Sequence, residues 1–360
     1  MKSIAILQPY VPHYRNEFFE SLEKNLRRMD IFVYNTLEMA KKNGFNVSDK
    51  EIGYLPNISV KGILIYNPFY LTKTQYEGLV LPLHFAHITT WILLFTKRIH
   101  KKKLVLWGQG ISVKRYLKEE KQPDWKLKLM INMADGVLFY TEKEKKMWND
   151  RFPNKMMVAL NNTLSGVKSI VDYKFPGLKD ELKRKYGIKE EIIFIFCARF
   201  ESIYRRIDLL LNTIHRLDSD KFGFIIIGNG KNKPDFSLYP NVYDYGAVYD
   251  TEKKHELFTM ADAYYQPSWM GLSIVEAMAY GKAVLTFQRS EETKQGVEYA
   301  YIKSGENGLL FSDMEDCITQ IERLSIEEMS RLGSNAREFV KKFLTIDKMV
   351  NNALMVINSL

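Results

Sequence analysis

Short apolar runs, each bounded by turn residues, alternate along the chain with longer segments in which apolar residues recur at helical spacing. Residues 4–7 form the first run, and a helical pattern over 18–26 follows after a polar loop. This order predicts a strand, a loop and a helix, the repeating unit of an α/β sheet. In the first half of the chain the predicted strands are 4–7, 31–34, 62–66, 104–107, 136–140 and 157–160.

A second series of the same kind starts after a polar segment. Its predicted strands are 192–197, 223–227, 242–245, 263–266 and 283–286, and its predicted helices are 206–217, 254–260 and 272–280. Strands that alternate with helices form parallel sheets, so the predicted fold class is α/β with two doubly wound, Rossmann-like domains facing a central cleft. The predicted parts are a first domain at 1–165, a connector at 166–190, a second domain at 191–336 and a helix at 337–360 that either returns to the first domain or caps the second.

One segment, 79–96, is apolar enough to suggest a membrane. It contains Pro82, His84 and His87, and it falls just short of the roughly 20 apolar residues that a spanning helix needs. We therefore predict a buried helix of the first domain. The alternative is a surface helix whose basic end, 97–103, docks on anionic lipid.

Composition narrows the class of protein. The 360 residues correspond to about two domains of about 150 residues each, and 46% hydrophobic with 26% charged residues is typical of a globular protein rather than a disordered one. Cys197 and Cys317 are too few for a disulfide framework, and the first residues lack the apolar core of a signal peptide, so we expect a cytoplasmic protein. The net charge of +9 favours nucleotides or anionic lipid; no nucleic-acid-binding motif accompanies it, so nucleic acid is not an expected partner.

Candidate chemistry concentrates at 266–284, where a predicted strand runs through a glycine turn into a helix. The backbone N–H groups of Gly271, Leu272 and Ser273 are expected at the positive end of the helix dipole, a position that suits a phosphate or diphosphate. Glu276 lies one turn further along and can accept hydrogen bonds from paired hydroxyls, as an acidic residue does for ribose in dinucleotide folds.

Other strand ends of the second domain also fit an anionic ligand. Arg199 follows a buried strand, and Arg205 and Arg206 precede the next helix. Guanidinium groups can neutralise a diphosphate, although one of the adjacent pair is expected to be solvated surface charge. The turns at Gly228 and Gly246 suit close approach of a backbone, but glycine is also the usual residue of a plain turn.

Together these segments resemble retaining glycosyltransferases of the family 4 type, which have the GT-B architecture of two Rossmann domains. The resemblance covers most of the chain and is strongest over 192–311, in FCARFESIYRRIDLLL, IIIGNGKNKPDF, ADAYYQPSWMGLSIVEAMAYGKAVLTF and SGENGLLF. It implies that Arg199 and Arg205 act on the diphosphate with Arg206 as a backup, that the backbone over 270–273, which starts at Met270, binds phosphate and sugar, and that Glu276 binds the ribose.

One position departs from the family pattern. The family commonly has two glutamates separated by seven residues; Glu276 matches the second, and Ser268 stands where the first would be. In such enzymes the first glutamate is thought to contact the donor sugar near its reacting carbon. Ser268 can still form a hydrogen bond with a sugar hydroxyl, but it carries no charge. Without this glutamate, either the binding mode of the donor sugar differs from that of the family or activity is lost.

The resemblance also implies transfer without a protein nucleophile, a cofactor or a metal. The cations and the helix start would stabilise the leaving diphosphate, whose oxygen can take the proton of the acceptor hydroxyl. Asp218 and Asp220 spell a metal-binding DxD motif but are predicted to lie in a solvated turn. On the acceptor side, His13 is a candidate catalytic residue, and Gln109 and Asn161 are candidate binding residues. All three are equally consistent with loop residues that have no role in catalysis.

The predicted function is therefore transfer of a sugar, with retention, from a nucleoside-diphosphate sugar to a glycan or lipid-linked acceptor in bacterial surface polysaccharide biosynthesis. The basic surface supports a peripheral location at the inner face of the membrane. Two alternatives stay open. A nucleotide-sugar epimerase shares the architecture and would need acid and base carboxylates in the first domain, and a non-catalytic scaffold would bind nucleotide sugars without turnover.

Overall fold

A parallel sheet forms the centre of each of two units into which the chain divides. The computed structural model describes residues 1–42 and 53–360. The first unit comprises Met1–Gly166 and Thr345–Leu360, and the second comprises Val167–Leu344. The predicted connector at 166–190 thus falls almost entirely within the second unit, where it contains two helices.

The described strands of the first unit are β1 (Ser3–Gln8), β2 (Arg28–Val33), β3 (Gly53–Tyr54), β4 (Asn57–Val60), β5 (Ile63–Tyr66), β6 (Gly78–Pro82), β7 (Lys103–Trp107), β8 (Gly136–Phe139) and β9 (Met156–Ala159). Its described helices are α1 (Asn16–Glu23), α2 (Leu37–Lys42), α3 (Ile88–Phe95), α4 (Lys97–His100), α5 (Tyr116–Lys121), α6 (Trp125–Met133) and α7 (Glu142–Asn149), together with α15 (Ile346–Asn358) from the end of the chain.

The main sheet of the first unit has the order β3-β2-β1-β6-β7-β8-β9, and all of its described pairings are parallel. Strand order reverses between β1 and β6, so the crevice at their carboxyl ends is the expected place for a ligand. Strands β4 and β5 form a separate antiparallel hairpin. The predicted strand at 62–66 therefore belongs to this hairpin and not to the main sheet.

The second unit repeats the doubly wound plan. Its helices are α8 (Val167–Asp172), α9 (Lys179–Tyr186), α10 (Ile207–Arg216), α11 (Thr251–Met260), α12 (Ser273–Ala279), α13 (Met314–Arg323) and α14 (Ile326–Phe343). The sheet has the parallel order β12 (Val242–Asp244), β11 (Phe222–Ile227), β10 (Ile192–Cys197), β13 (Ala263–Tyr265), β14 (Ala283–Phe287) and β15 (Gly308–Phe311). Helices cover both faces of such a sheet, which is why β11 and β14 are buried along their whole length.

The prediction of one buried helix over 79–96 is wrong. The structure divides this apolar run into β6, which lies between β1 and β7 at the centre of the sheet, and α3, which starts only at Ile88. Pro82 ends the strand, and His84 to His87 form a turn. A continuous apolar run fits a doubly buried strand and a buried helix equally well, so periodicity alone could not separate them.

The end of the chain also differs from the prediction of a single helix over 337–360. Helix α14 ends at Phe343, and the Oγ1 atom of Thr345 accepts a hydrogen bond from the N–H of Lys348 (3.3 Å) to begin α15. Helix α15 packs on α1 and β9 of the first unit. The chain therefore returns to the unit in which it started, and the break at Thr345 marks the change of unit.

Candidate functional site

The order of the second sheet reverses between β10 and β13. In doubly wound sheets, ligands bind at the carboxyl ends of the strands beside such a reversal. The segment after β10 carries Arg199 and Arg205, and the segment after β13 runs through Ser268 and Gly271 into α12, where Glu276 lies. The topology therefore brings the two candidate segments to one edge of the sheet.

Gln266 organises the loop between β13 and α12. Its buried side chain accepts hydrogen bonds at Oε1 from the hydroxyls of Tyr264 (2.6 Å) and Ser273 (3.2 Å). Its Nε2 donates to the carbonyls of Ser268 (2.8 Å) and Trp269 (3.1 Å). One amide thus joins both ends of the loop, which fixes the loop before any ligand arrives.

Ser268 is fully buried, and its hydroxyl donates to the carbonyl of Lys294 (2.8 Å). A role toward a donor sugar would require it to exchange this bond. The next residue, Trp269, has a positive φ of 56°, a conformation that is uncommon outside glycine, and its ring stacks on Tyr204 at 4.8 Å between centroids. Strained backbone of this kind persists where the surroundings hold it in place.

The start of α12 is open. A Cβ atom built on Gly271 meets no atom within 4 Å, so packing within the protein does not require a glycine there. Within residues 1–42 and 53–360, the N–H groups of Gly271, Leu272 and Ser273 have no backbone acceptor. Met270, immediately before them, is buried. These peptide donors have no backbone partner, and open space adjoins Gly271.

Glu276 is paired with a residue that sequence analysis missed. The Nζ atom of Lys254, on α11, lies 2.6 Å from Oε1 of Glu276, and both side chains are largely buried. Burial alone would lower the pKa of Lys254, but the Glu276 carboxylate outweighs it and raises that pKa above its usual value. Nothing in the local pattern of α11 distinguishes Lys254 from its neighbour Lys253, so only the structure assigns this partner.

Arg205 is the buried member of the adjacent arginine pair. Its Nη1 donates to the carbonyl of Trp269 (3.3 Å), while its Nε is buried and has no hydrogen-bond partner among the described residues. Burial lowers the pKa of Arg205, and nearby Arg199 lowers it further. The guanidinium groups of Arg199 and Arg205 thus lie near each other, and the Nε of Arg205 is an unused donor. Such an arrangement can bind an anion.

Arg206 has a different environment. It also has a positive φ, of 52°, but its guanidinium forms an ion pair with Asp208 (2.7 Å) and donates to the carbonyl of Glu292 (3.1 Å). Asp208 is well exposed. The proposed backup role of Arg206 would require it to leave this partner, and the structure fits the expectation that one of the pair is surface charge.

Cys197, the last residue of β10, lies among these charged groups. Its thiol is influenced by Lys254, Glu276 and Arg205, which places Glu276 and the arginine segment in one neighbourhood. Burial raises the pKa of the thiol to about 12. The thiol therefore stays protonated at neutral pH and is unsuited to nucleophilic catalysis.

The glycines after β11 have a structural role. A Cβ atom on Gly228 would overlap the carbonyl oxygen of Ala198, and one on Gly230 would approach the backbone of Phe200 within 3 Å. The N–H of Gly228 donates to the carbonyl of Gly246 (2.7 Å). These close approaches join the loops that follow β10, β11 and β12, so contacts within the protein account for Gly228 without a ligand.

In the first unit, the three predicted residues follow three different strands of the sheet. His13 is exposed in a short 3-10 helix after β1, Gln109 is half-buried after β7, and Asn161 has a positive φ of 56° after β9. Arg15, which sequence analysis missed, is instead the buried residue that joins these loops. Its guanidinium donates to Asn162 and lies 5.4 Å from the ring centre of Trp107.

A second group missed by sequence analysis lies beside the reversal of strand order between β1 and β6. The ring of His87 lies 4.8 Å from that of His84 and 5.4 Å from that of Tyr34, between centroids. Its Nδ1 is buried without a hydrogen-bond partner among the described residues, and burial, aided by His84, lowers its pKa to about 4. A neutral ring with an unused nitrogen can accept a hydrogen bond from a hydroxyl.

Asp218 and Asp220 lie exposed in the turn after α10, where Asp218 accepts a hydrogen bond from the N–H of Asp220 (3.0 Å). In the part of the chain that the structure describes, no three His, Cys, Asp or Glu residues are grouped to hold a metal ion. Over the same residues, no helix combines the length and apolar character needed to cross a bilayer.

Solved structures share this architecture over the whole chain. Sucrose-phosphate synthase from Thermosynechococcus elongatus has a TM-score of 0.69 at 16% identity, with 100% of this chain and 99% of that chain covered. HepE from Anabaena, in complex with UDP, has a TM-score of 0.68 at 14% identity over 100% of both chains. The lipopolysaccharide outer core galactosyltransferase WaaB has 0.66 at 16% identity, over 99% and 100%. The fold is therefore GT-B, as predicted.

The enzyme class follows from the sequence of the second unit. Residues 191–326 match the family of glycosyl transferases group 1. This segment contains every strand of the second sheet as well as Arg199, Arg205, Lys254 and Glu276. Together with the shared GT-B fold, this match confirms the predicted enzyme class, a glycosyltransferase. A search of curated protein sequences finds no match to the chain.

Proposed function

We propose that this glycosyltransferase moves a sugar, with retention of configuration, from a nucleoside-diphosphate sugar to a glycan or lipid-linked acceptor in bacterial surface polysaccharide biosynthesis. The observation that carries the donor class is the group of cations at this edge of the sheet: Lys254 is paired with Glu276, Arg205 shares the neighbourhood of Cys197 with that pair, and Arg199 lies near Arg205. An excess of positive charge in a largely buried site favours a diphosphate. HepE, a protein of the same fold, is solved with UDP and with UDP-glucose, so UDP-sugars are the first donors to test.

In this proposal the protein works by electrostatic stabilisation. Arg199 and Arg205 neutralise the charge that grows on the diphosphate as the sugar–phosphate bond breaks, and the N–H groups of Leu272 and Ser273 bind a phosphate oxygen. That oxygen takes the proton of the acceptor hydroxyl while the acceptor oxygen bonds to the anomeric carbon on the same face. Loss of one such group typically costs about 2–4 kcal/mol. Neither a metal nor a cofactor has a step in this scheme.

The acceptor is proposed to bind in the first unit, at the carboxyl ends of β1 and β6. His13, Gln109 and Asn161 remain candidates on the acceptor side. Arg15 and His87 add a buried cation and an unused ring nitrogen to the same edge of the sheet. These groups suit a polar acceptor with hydroxyl groups. We further propose a location at the inner face of the membrane, where a lipid-linked acceptor would be found.

The test is product analysis with purified protein. A panel of nucleoside-diphosphate sugars is incubated with and without glycan and lipid-linked acceptors, and nucleoside diphosphate and enlarged product are both measured. Release of nucleoside diphosphate together with a larger glycan, with the anomeric configuration of the donor retained by NMR, supports the proposal. Activity that survives a chelator supports metal-independent transfer.

Two other outcomes would overturn sugar transfer. Interconversion of the donor into its epimer, without acceptor, would assign a nucleotide-sugar epimerase. Tight binding of donors without turnover across the panel would assign a scaffold. The buried carboxylates of the first unit already have partners: Glu119 pairs with Arg115 (2.6 Å), and Glu144 accepts from Tyr116 (2.5 Å). That arrangement favours transfer over epimerisation, because an epimerase needs carboxylates that are available as acid and base.

A further inference from the structure

One helical face of the first unit is apolar and open to solvent. Ile88, Ile92, Phe95 and Ile99 recur at helical spacing along α3 and α4, and their exposed fractions run from 38% to 80%. The opposite side of α3, which includes Leu93 and Leu94, is buried in the core. Helix α3 therefore has apolar residues on both faces, and only one of these faces is covered.

The hairpin of β4 and β5 repeats this arrangement. Ile58 pairs with Ile65 and Val60 pairs with Ile63, so these four residues share one face, and each is close to half exposed or more. The alternate residues of β5, Leu64 and Tyr66, are buried. Contiguous apolar surface of this kind is rare on a monomeric protein unless it meets a partner.

These elements are neighbours. The N–H of Leu64 donates to the carbonyl of Ala86 (2.9 Å), which fixes the hairpin beside the start of α3. On the other side α3 contacts α6, where Trp125 is 68% exposed and Leu129 is also exposed. We call the exposed apolar side chains of β4, β5, α3, α4 and α6 the apolar face.

The charged residues of α3 and α4 have one sign. No acidic residue occurs between Glu77 and Glu119 in the sequence. Arg98 on α4, Lys101 directly after α4 and Lys128 on α6 are exposed and form no ion pair with any described residue. Cations that border apolar side chains are complementary to anionic phospholipid, whose headgroups take the charge while the acyl region takes the apolar groups.

We propose that the apolar face docks the protein on the surface of an anionic phospholipid bilayer. The hairpin and the α3–α4 face enter the boundary between headgroups and acyl chains, and Arg98, Lys101 and Lys128 contact lipid phosphates. A second copy of the chain fits less well, because a two-fold interface would bring the same unpaired cations together. This inference rests on the membrane location proposed above and not on the chemistry of transfer.

Vesicle flotation without donor or acceptor tests the docking face on the full chain. Vesicles of equimolar phosphatidylcholine and phosphatidylglycerol are compared with vesicles of phosphatidylcholine alone. The apolar variant carries Ile92→Ser and Phe95→Ser, and a second carries Ile58→Ser and Ile65→Ser. The charge variant carries Arg98→Gln and Lys101→Gln. We expect each to lower partitioning into the anionic vesicles by about tenfold or more, and the wild type to prefer them over phosphatidylcholine alone by a similar factor.

Matched controls keep the same chemistry elsewhere on the surface. Leu238→Ser removes an apolar side chain that is 80% exposed in the second unit, and Lys24→Gln with Lys189→Gln removes two exposed cations outside the face. Both should leave partitioning within about threefold of wild type. Circular dichroism and thermal unfolding establish that each variant is folded.

Equal flotation of the wild type and the folded face variants would overturn the docking face, as would equal binding to both kinds of vesicle. A dimer in size-exclusion chromatography that the Ile92→Ser and Phe95→Ser variant converts to monomer would also overturn it and assign the face to a second copy. Failure of the proposed function is distinguishable: vesicle binding would persist while no donor is turned over. If the protein both docks on membranes through the apolar face and transfers sugar, the face variants keep transferase activity on a water-soluble acceptor. They lose that activity on an acceptor embedded in vesicles.

Discussion

Lys254 and Glu276 form an ion pair of 2.6 Å at the carboxyl edge of the second sheet, between helices α11 and α12. The pair holds the carboxylate that the family resemblance assigns to ribose. It also brings a third cation to the segment that contains Arg199 and Arg205. The lysine thus connects the two halves of the proposed donor site, one that binds hydroxyls and one that binds a diphosphate.

Lys254→Met should weaken binding of the donor's nucleoside diphosphate by about tenfold and reduce its preference over the 2′-deoxy analogue, because Glu276 loses the partner that orients it. Isothermal titration calorimetry with the two nucleotides measures both effects. Lys253→Met, at the adjacent half-buried position, is the matched control. A ribose preference that is unchanged in folded Lys254→Met protein would reduce the lysine to a structural role.

Arg205→Ala should lower kcat/KM by about a hundredfold, equivalent to about 2–4 kcal/mol of transition-state stabilisation, because the buried guanidinium with its unused Nε faces the growing charge. Arg206→Ala, which removes a side chain already paired with Asp208, should change kcat/KM by less than about threefold. Steady-state kinetics of the two variants, with thermal unfolding as a check on the Trp269 contact, gives the comparison. Equal losses in both would contradict the assignment of Arg205 as the functional member.

Gly271→Ala should leave the free energy of unfolding within about 0.5 kcal/mol of wild type, since the added methyl group meets open space. Donor affinity should nevertheless fall, because that space is where the phosphate is proposed to bind. Gly228→Ala should do the reverse and destabilise the second unit by about 3 kcal/mol, because its φ of 145° and the carbonyl of Ala198 both exclude a side chain. Denaturant titration and calorimetry separate the two cases. A Gly271→Ala protein with wild-type donor affinity would move the ligand away from this turn.

Stability of the first unit should fall as the pH is lowered from 6.5 toward 4. The pKa of His87 is near 4 in the folded protein and near 6.5 when exposed, so in this window the unfolded chain binds a proton that the folded chain does not. The sign is therefore loss of stability with falling pH, by about 3 kcal/mol in all. His87→Gln should flatten this part of the profile in denaturant titrations, whereas His215→Gln, at an exposed position, should not. An unchanged slope in His87→Gln would mean that other groups carry the effect, with His84 the nearest, since burial also lowers its pKa.

Several features were predictable from sequence because they depend on local pattern. Strands buried on both faces read as short continuous apolar runs, so β1, β10 and β11 were located to within a few residues. Their alternation with helices predicted two doubly wound sheets, and the glycine turn before Leu272 predicted an open helix start. The GT-B fold and the glycosyltransferase class were implied by the resemblance of segments within 192–311 to a known family, and both are confirmed.

Other features depended on which residues meet after folding. The apolar run at 79–96 forms β6 and α3 because its first part pairs with both β1 and β7 at the centre of the sheet. The hydrophobic periodicity of the run contains no information about these pairing partners. Lys254 and Lys253 look alike in sequence, as do Arg205 and Arg206; burial and partners, set by elements far along the chain, distinguish them. Backbone periodicity is a local property of the chain, whereas the partner of a charged side chain is decided by long-range packing. The sequence alone therefore determined the architecture and indicated the edge of the sheet where we propose that the donor binds, and tertiary structure decided which side chains meet there.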